Sequence, residues 1–199
     1  MHFLLRSARA VDRINLAIGQ HVSWLILAAV LVSTINALVR KFFNISSNAF
    51  LELQWYLFSA VFLLAGASAL ARNAHVRIDV VAGRLSQRAQ GWIEIFGILF
   101  FLTPMCLLVI TTSWPVFIES WQTGEVSNNA GGLILWPARL LVPAGFVLLL
   151  LQGFSQLVKR VAILQGHELP SQDRTSEAPS AEEQLAEEIR RNRGLQEAA

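Results

Sequence analysis

Residues 53–71 read Leu-Gln-Trp-Tyr-Leu-Phe-Ser-Ala-Val-Phe-Leu-Leu-Ala-Gly-Ala-Ser-Ala-Leu-Ala, nineteen positions without a charge. At about 1.5 Å per helical residue such a run crosses most of a bilayer core of about 30 Å. Three more stretches share the property. Residues 22–39 are uncharged, with Asn36 as the strongly polar member. Residues 95–112 are uncharged around Pro104, and 140–158 are uncharged with Gln152 and Gln156 toward the end. Backbone groups in lipid must be bonded within the segment, so each is read as a helix. The alternative, buried core helices of a water-soluble protein, fits poorly with four such runs in 199 residues. Composition agrees: 54% of residues are apolar, 15% are charged, and mean hydropathy is +0.48. A soluble domain is nearer one quarter charged. The fold class predicted is an all-α integral membrane protein with four transmembrane helices.

The flanks are basic and the tail is acidic. Residues 1–165 carry twelve Lys/Arg against six Asp/Glu, and residues 166–199 carry four against eight. Three domains are expected: a basic N-terminal segment over 1–21, a four-span membrane domain over 22–165, and a tail over 166–199 with the composition of disorder. Within the tail, Ser180 and Glu183 have capping-box spacing and Glu187 and Arg191 are four apart, which suits a short helix. The first apolar run is too long for a signal-peptide core and is followed by Arg40 and Lys41 rather than a small-residue cleavage pattern, so it is read as retained. Lys and Arg in short flanks set orientation. Arg6, Arg9, Arg13, Arg72, Arg77, Arg84, Arg88, Lys159 and Arg160 share one side; Arg40, Lys41 and Arg139 share the other. That bias predicts both termini in the cytoplasm. Residues 113–136 hold no Lys or Arg and should face outward.

Two connections have patterns of their own. On a helix over 75–92, Arg77, Arg84 and Arg88 cluster beside an apolar arc of Ile78, Val81, Ala82, Leu85, Ala89 and Trp92. This is the pattern of an interfacial amphipathic helix between spans two and three, with arginines toward lipid phosphates; an irregular basic loop is the plainer alternative. Gly124, Ser127, Asn128, Asn129, Gly131 and Gly132 favour turns in the outer loop, while Leu133, Ile134 and Leu135 interrupt its polarity. Two readings stay open there: a loop folded on the membrane or a partner, and a solvated loop.

Catalytic chemistry is not signalled. The four apolar runs hold no ionisable residue, and His2, His21, His75 and His167 all fall outside them, which argues against a two-helix haem site. There is no His-Glu-x-x-His, phosphate loop or nucleophile elbow. Asn44-Ile-Ser46 matches a glycosylation acceptor with little weight. Cys106 reads as a small packing residue. Pro104, Pro115 and Pro143 are candidates for local helix distortion. Glu94 reads as an edge carboxylate near a helix start. Glu52 has the same default role, against pairing with Arg40, Lys41 or a partner subunit. Small residues at 65–69, Gly97, Gly145 and Gly153 allow close helix approach, within this chain or with a partner. No cofactor and no nucleic-acid partner are expected.

The stretches Val39-Arg-Lys-Phe-Phe-Asn44, Leu51-Glu-Leu-Gln-Trp-Tyr-Leu-Phe58 and Ala71-Arg-Asn-Ala-His-Val-Arg-Ile-Asp79 resemble the small permease (DctQ-type) subunit of tripartite ATP-independent periplasmic (TRAP) transporters. So do Ser127-Asn-Asn-Ala-Gly-Gly-Leu-Ile-Leu-Trp-Pro-Ala-Arg139, Val142-Pro-Ala-Gly-Phe146 and Leu151-Gln-Gly153. The likeness covers roughly residues 10–165 and is similar to the branch labelled mannitol/chloroaromatic compound transport. It implies a bacterial inner-membrane complex. A periplasmic binding protein would deliver an organic acid, a large permease subunit would carry substrate and coupling sodium in an elevator motion, and this small subunit would brace the large one. The resemblance marks Glu52, His75 and Asp79 as assembly or structural positions. Two other classes stay open: a self-contained oligomeric transporter, which needs a polar site within the spans, and a membrane anchor for a redox complex, which needs ligating histidines there.

Overall fold

The computed structural model describes residues 2–44, 47–72 and 86–165. The tail over 166–199 and most of the proposed interfacial helix lie outside the described residues. Five α-helices form the membrane body: α1 (His2–Phe43), α2 (Asn48–Ala71), α3 (Gln87–Gly97), α4 (Thr103–Thr123) and α5 (Trp136–Leu164). A π turn over Ile98–Leu102 joins α3 to α4, so these two make one continuous third span. Among the described residues four helices are therefore long and apolar enough to cross a membrane, as expected.

Burial is inverted relative to a water-soluble protein. The interior is small: Ala29, Ala67, Cys106 and Ala162 are wholly buried. The large side chains point outward, with Phe62 at 85% and Trp55 at 74% exposure. In water that surface would be costly; in lipid it is the favoured one, and small residues then let backbones approach. This excludes the soluble-core alternative.

α1 runs much further than its uncharged stretch. Forty-two residues make a rod of about 63 Å. The buried positions Ala8, Asn15, Val22, Ala29 and Asn36 recur every seven residues. A strict seven-residue seam keeps one face against its neighbours along the whole rod, as in left-handed helix packing. Arg6, Arg9 and Arg13 lie off that seam, which is why the helix tolerates them.

α5 is the hub. α1, α2, α3, the π turn and α4 all pack on it. Glycines set the closest approaches. A Cβ on Gly145 would stand 2.8 Å from both the Cβ and the carbonyl oxygen of Leu63 on α2. One on Gly153 would stand 2.7 Å from Leu102 Cδ2 in the π turn. The π turn has a local cause. Pro104 has no N–H for the Phe100 carbonyl, and its ring crowds that group. Widening by one residue lets the Ile98 carbonyl accept from both the Thr103 N–H and the Thr103 hydroxyl, the latter at 2.8 Å.

Candidate functional site: polar clamps at the two ends of the bundle

The end of the bundle at Trp136 is closed by a loop that folds back on α2. Gly124 ends α4 in the left-handed region, φ 60°, where glycine carries no steric penalty. The chain then makes a small hairpin: Ser127 N–H donates to the Leu133 carbonyl at 2.9 Å and Leu135 N–H to the Glu125 carbonyl at 2.9 Å. Asn48, Glu52 and Tyr56 stand on successive turns of one α2 face and grip this hairpin. Asn48 Nδ2 donates to the Ala130 carbonyl at 3.0 Å, and the Tyr56 hydroxyl to the Ile134 carbonyl at 3.0 Å. Between them Glu52 accepts three hydrogen bonds. Its Oε1 takes the Ser127 hydroxyl and, at 2.8 Å, Asn129 Nδ2; its Oε2 takes Leu133 N–H at 2.6 Å. Gly132 is required by this packing, since a Cβ there would sit 2.5 Å from Ser127 Cβ and 3.0 Å from Glu52 Oε1. Arg139 forks onto both oxygens of Glu125, at 2.5 and 2.7 Å, tying the loop to the first turn of α5. Trp121 and Trp136 meet edge to face at 4.5 Å between α4 and α5.

The end at Lys159 is closed by side chains of α5 reaching three other helices. Asp12 of α1 accepts at Oδ1 from Gln152 Nε2 at 2.8 Å and from the Ser155 hydroxyl at 2.7 Å, and its Oδ2 pairs with Lys159. Gln152 Oε1 in turn accepts from Asn15 Nδ2 at 2.8 Å. Asn15, Gln152 and Ser155 are almost fully buried, so each must find a partner inside the protein. Gln156 Nε2 donates to the Leu70 carbonyl of α2 at 2.5 Å, one of the last in that helix. Arg160 pairs with Glu94 of α3, with Nη2 3.1 Å from Oε1.

Several expectations change on this geometry. Glu94 is an ion-pair partner of Arg160 rather than a carboxylate serving a helix start. Glu52 takes its partners from the outer loop, not from Arg40 or Lys41. That loop docks on α2 of its own chain, through Asn48, Glu52 and Tyr56. Arg88 is exposed in the first turn of α3, a helix that Ser86 caps by accepting Ala89 N–H at 3.3 Å. His75, Arg77, Asp79 and Arg84 lie outside the described residues. Asp12, Asn15 and Ser155 were not singled out in the sequence. Their signal was there only in part: Gln152, Ser155, Gln156, Lys159 and Arg160 have the spacing of a single polar helix flank.

The carboxylates of both clamps are engaged in holding helices and a loop. Among the described residues no group of His, Cys, Asp and Glu side chains could hold a metal ion. The family profile described as "Tripartite ATP-independent periplasmic transporters, DctQ component" matches residues 29–162. Comparison with curated proteins and with solved structures gives no match. The matched region takes in the last part of α1 and all of α2, the third span and the Glu52 clamp, two thirds of the chain. The chain therefore belongs to the DctQ components of TRAP transporters, small multi-pass membrane subunits of a transporter and not enzymes.

Proposed function

We propose that this DctQ subunit braces the large permease subunit while that subunit moves solute handed over by a periplasmic binding protein. The observation that supports the reading is the distribution of polar groups. Residues 22–39, 53–71, 95–112 and 140–158 contain no Asp, Glu, Lys, Arg or His, and the ionisable groups that pair do so at the bundle ends. A helical body with no polar path through it packs against a neighbour; it does not carry an anion across. An elevator motion needs one part held still, and large outward-facing side chains such as Phe62 and Trp55 give such a part extensive contact with lipid and protein.

The same reading assigns the details. The complex lies in a bacterial inner membrane with both termini of this chain in the cytoplasm, following the Lys/Arg bias. The Lys159 end is then cytoplasmic and the Glu52 clamp periplasmic. Glu52 is a structural position that shapes the periplasmic loop, and His75 and Asp79 serve assembly. Arg77, Arg84 and Arg88 contact lipid phosphates. The solute delivered is an organic acid or related solute, and the resemblance of the quoted stretches puts this subunit beside the branch labelled mannitol/chloroaromatic compound transport.

The test is reconstitution with sealed vesicles. The large subunit, this chain and the binding protein together should accumulate an organic anion; this chain alone should not. Changing Arg77, Arg84 and Arg88 together to Glu should lower recovery of the assembled pair and leave ligand capture by the binding protein intact. Accumulation driven by this chain alone would overturn the bracing role, and normal assembly of the triple variant would remove the lipid-contact assignment.

A further inference from the structure

Gln20 and His21 stand exposed on α1 beside Trp24, which is 69% exposed. Hydropathy alone leaves them just before the first apolar run. Contacts across the bundle give a different depth. Asp12, nine residues earlier on α1, pairs with Lys159. At about 1.5 Å per residue, His21 lies about 13 Å from that pair toward the Trp136 end. On the same measure Trp136 lies about 34 Å from Lys159, close to the thickness of a hydrocarbon core of about 30 Å. α2 gives a second ruler. A Cβ on Gly19 would collide with the Ser68 side chain, so Gly19 is level with Ser68 on the antiparallel α2. His21 is then level with Gly66, about 9 Å inside the exposed Arg72 that closes α2. Both rulers put Gln20 and His21 at hydrocarbon depth, on a surface turned away from the bundle.

Their chemistry is unfinished. His21 Nδ1 is 2.8 Å from the Ala17 carbonyl oxygen. A carbonyl only accepts, so Nδ1 carries the hydrogen and Nε2 of the neutral ring is an acceptor. Neither Nε2 nor the Gln20 amide has a hydrogen-bond partner among the described residues. Acyl chains offer none. The outward surface of α2, by contrast, presents Trp55, Phe58 and Phe62, which lipid accommodates without cost.

We infer that the Gln20–His21–Trp24 surface of α1 is where the large permease subunit docks, through a membrane helix that presents an N–H or O–H donor to His21 Nε2. Trp24 supplies the apolar contact area beside the polar pair. The inference rests on the bracing role and adds the surface that performs it. It leaves the interior of this chain without a solute path, because both groups face outward from the bundle.

The test uses the full chain assembled with the large subunit in nanodiscs. A photoreactive p-benzoylphenylalanine in place of His21 should form an adduct with the large subunit. His21→Leu should lower the large subunit retained through detergent washing by about three- to tenfold, the size of one interhelical hydrogen bond in a membrane. His21→Gln, which keeps an acceptor, should restore retention. An adduct with lipid alone, or full retention by His21→Leu, overturns the docking surface. Failure of the unmodified chain to retain the large subunit would remove the bracing role itself, and the docking surface with it.

Discussion

At the Trp136 end, one face of α2 holds a loop; at the Lys159 end, one helix holds three others. Glu52 receives neutral donors, two of them side chains of the loop and one a backbone N–H. Asp12 receives two neutral donors and a cation, all from α5. The first arrangement fixes the shape of a surface. The second fixes which helices lie together and in what register. A carboxylate therefore does different work according to whether its partners come from a loop or from a packed helix, even though each satisfies the same requirement of a partly buried anion.

The contrast predicts effects of different kind and size. Asp12→Ala should be the most damaging change. Asp12 and Lys159 have side-chain exposures of 13% and 14%, and removing the carboxylate takes from Lys159, Gln152 and Ser155 an acceptor that all three share. The expected cost is about 3 kcal/mol, read as a lower thermal unfolding midpoint in detergent. Asp12→Leu combined with Lys159→Met should recover most of it. An Asp12→Ala protein as stable as its parent would erase the difference between the two ends. Gly145→Ala comes next, at about 1–3 kcal/mol, because its new Cβ meets the backbone of Leu63 rather than a movable group. Glu52→Ala should leave the unfolding midpoint nearly unchanged and speed proteolysis between residues 128 and 132, since only the loop loses its anchor. A lowered midpoint with no faster cleavage would mean that Glu52 stabilises helices after all. Gly153→Ala should be mildest, below about 1 kcal/mol, because the flexible end of Leu102 can move aside.

Much of the fold was legible in the sequence. Four uncharged runs gave four spans in the right order, because hydrocarbon thickness imposes a length that chance rarely meets. The reach of α1 was not. Arg6, Arg9, Asp12 and Arg13 interrupt the hydropathy, and the signal that survives them is a seam of small and polar residues every seven positions. The π turn was foreshadowed by Pro104 without its form being evident. Glu52 stood out beforehand, yet its partners lie 75 to 81 residues away. Asp12, Asn15 and Ser155 were missed for the same reason: their bonds join positions 133 to 147 apart. Periodicity reports which face of a helix is buried, but a partner so distant is chosen by tertiary packing.

The place of α5 in the chain has a consequence for biosynthesis. Gln152, Ser155, Gln156, Lys159 and Arg160, which close the Lys159 end, all belong to the last described helix, and the third span finds its packing partner there. A ribosome feeding this chain into the translocon releases the earlier segments first. Asp12 and Asn15 must wait for Gln152, Ser155 and Lys159 until α5 is inserted and the Lys159 end can lock in one late step.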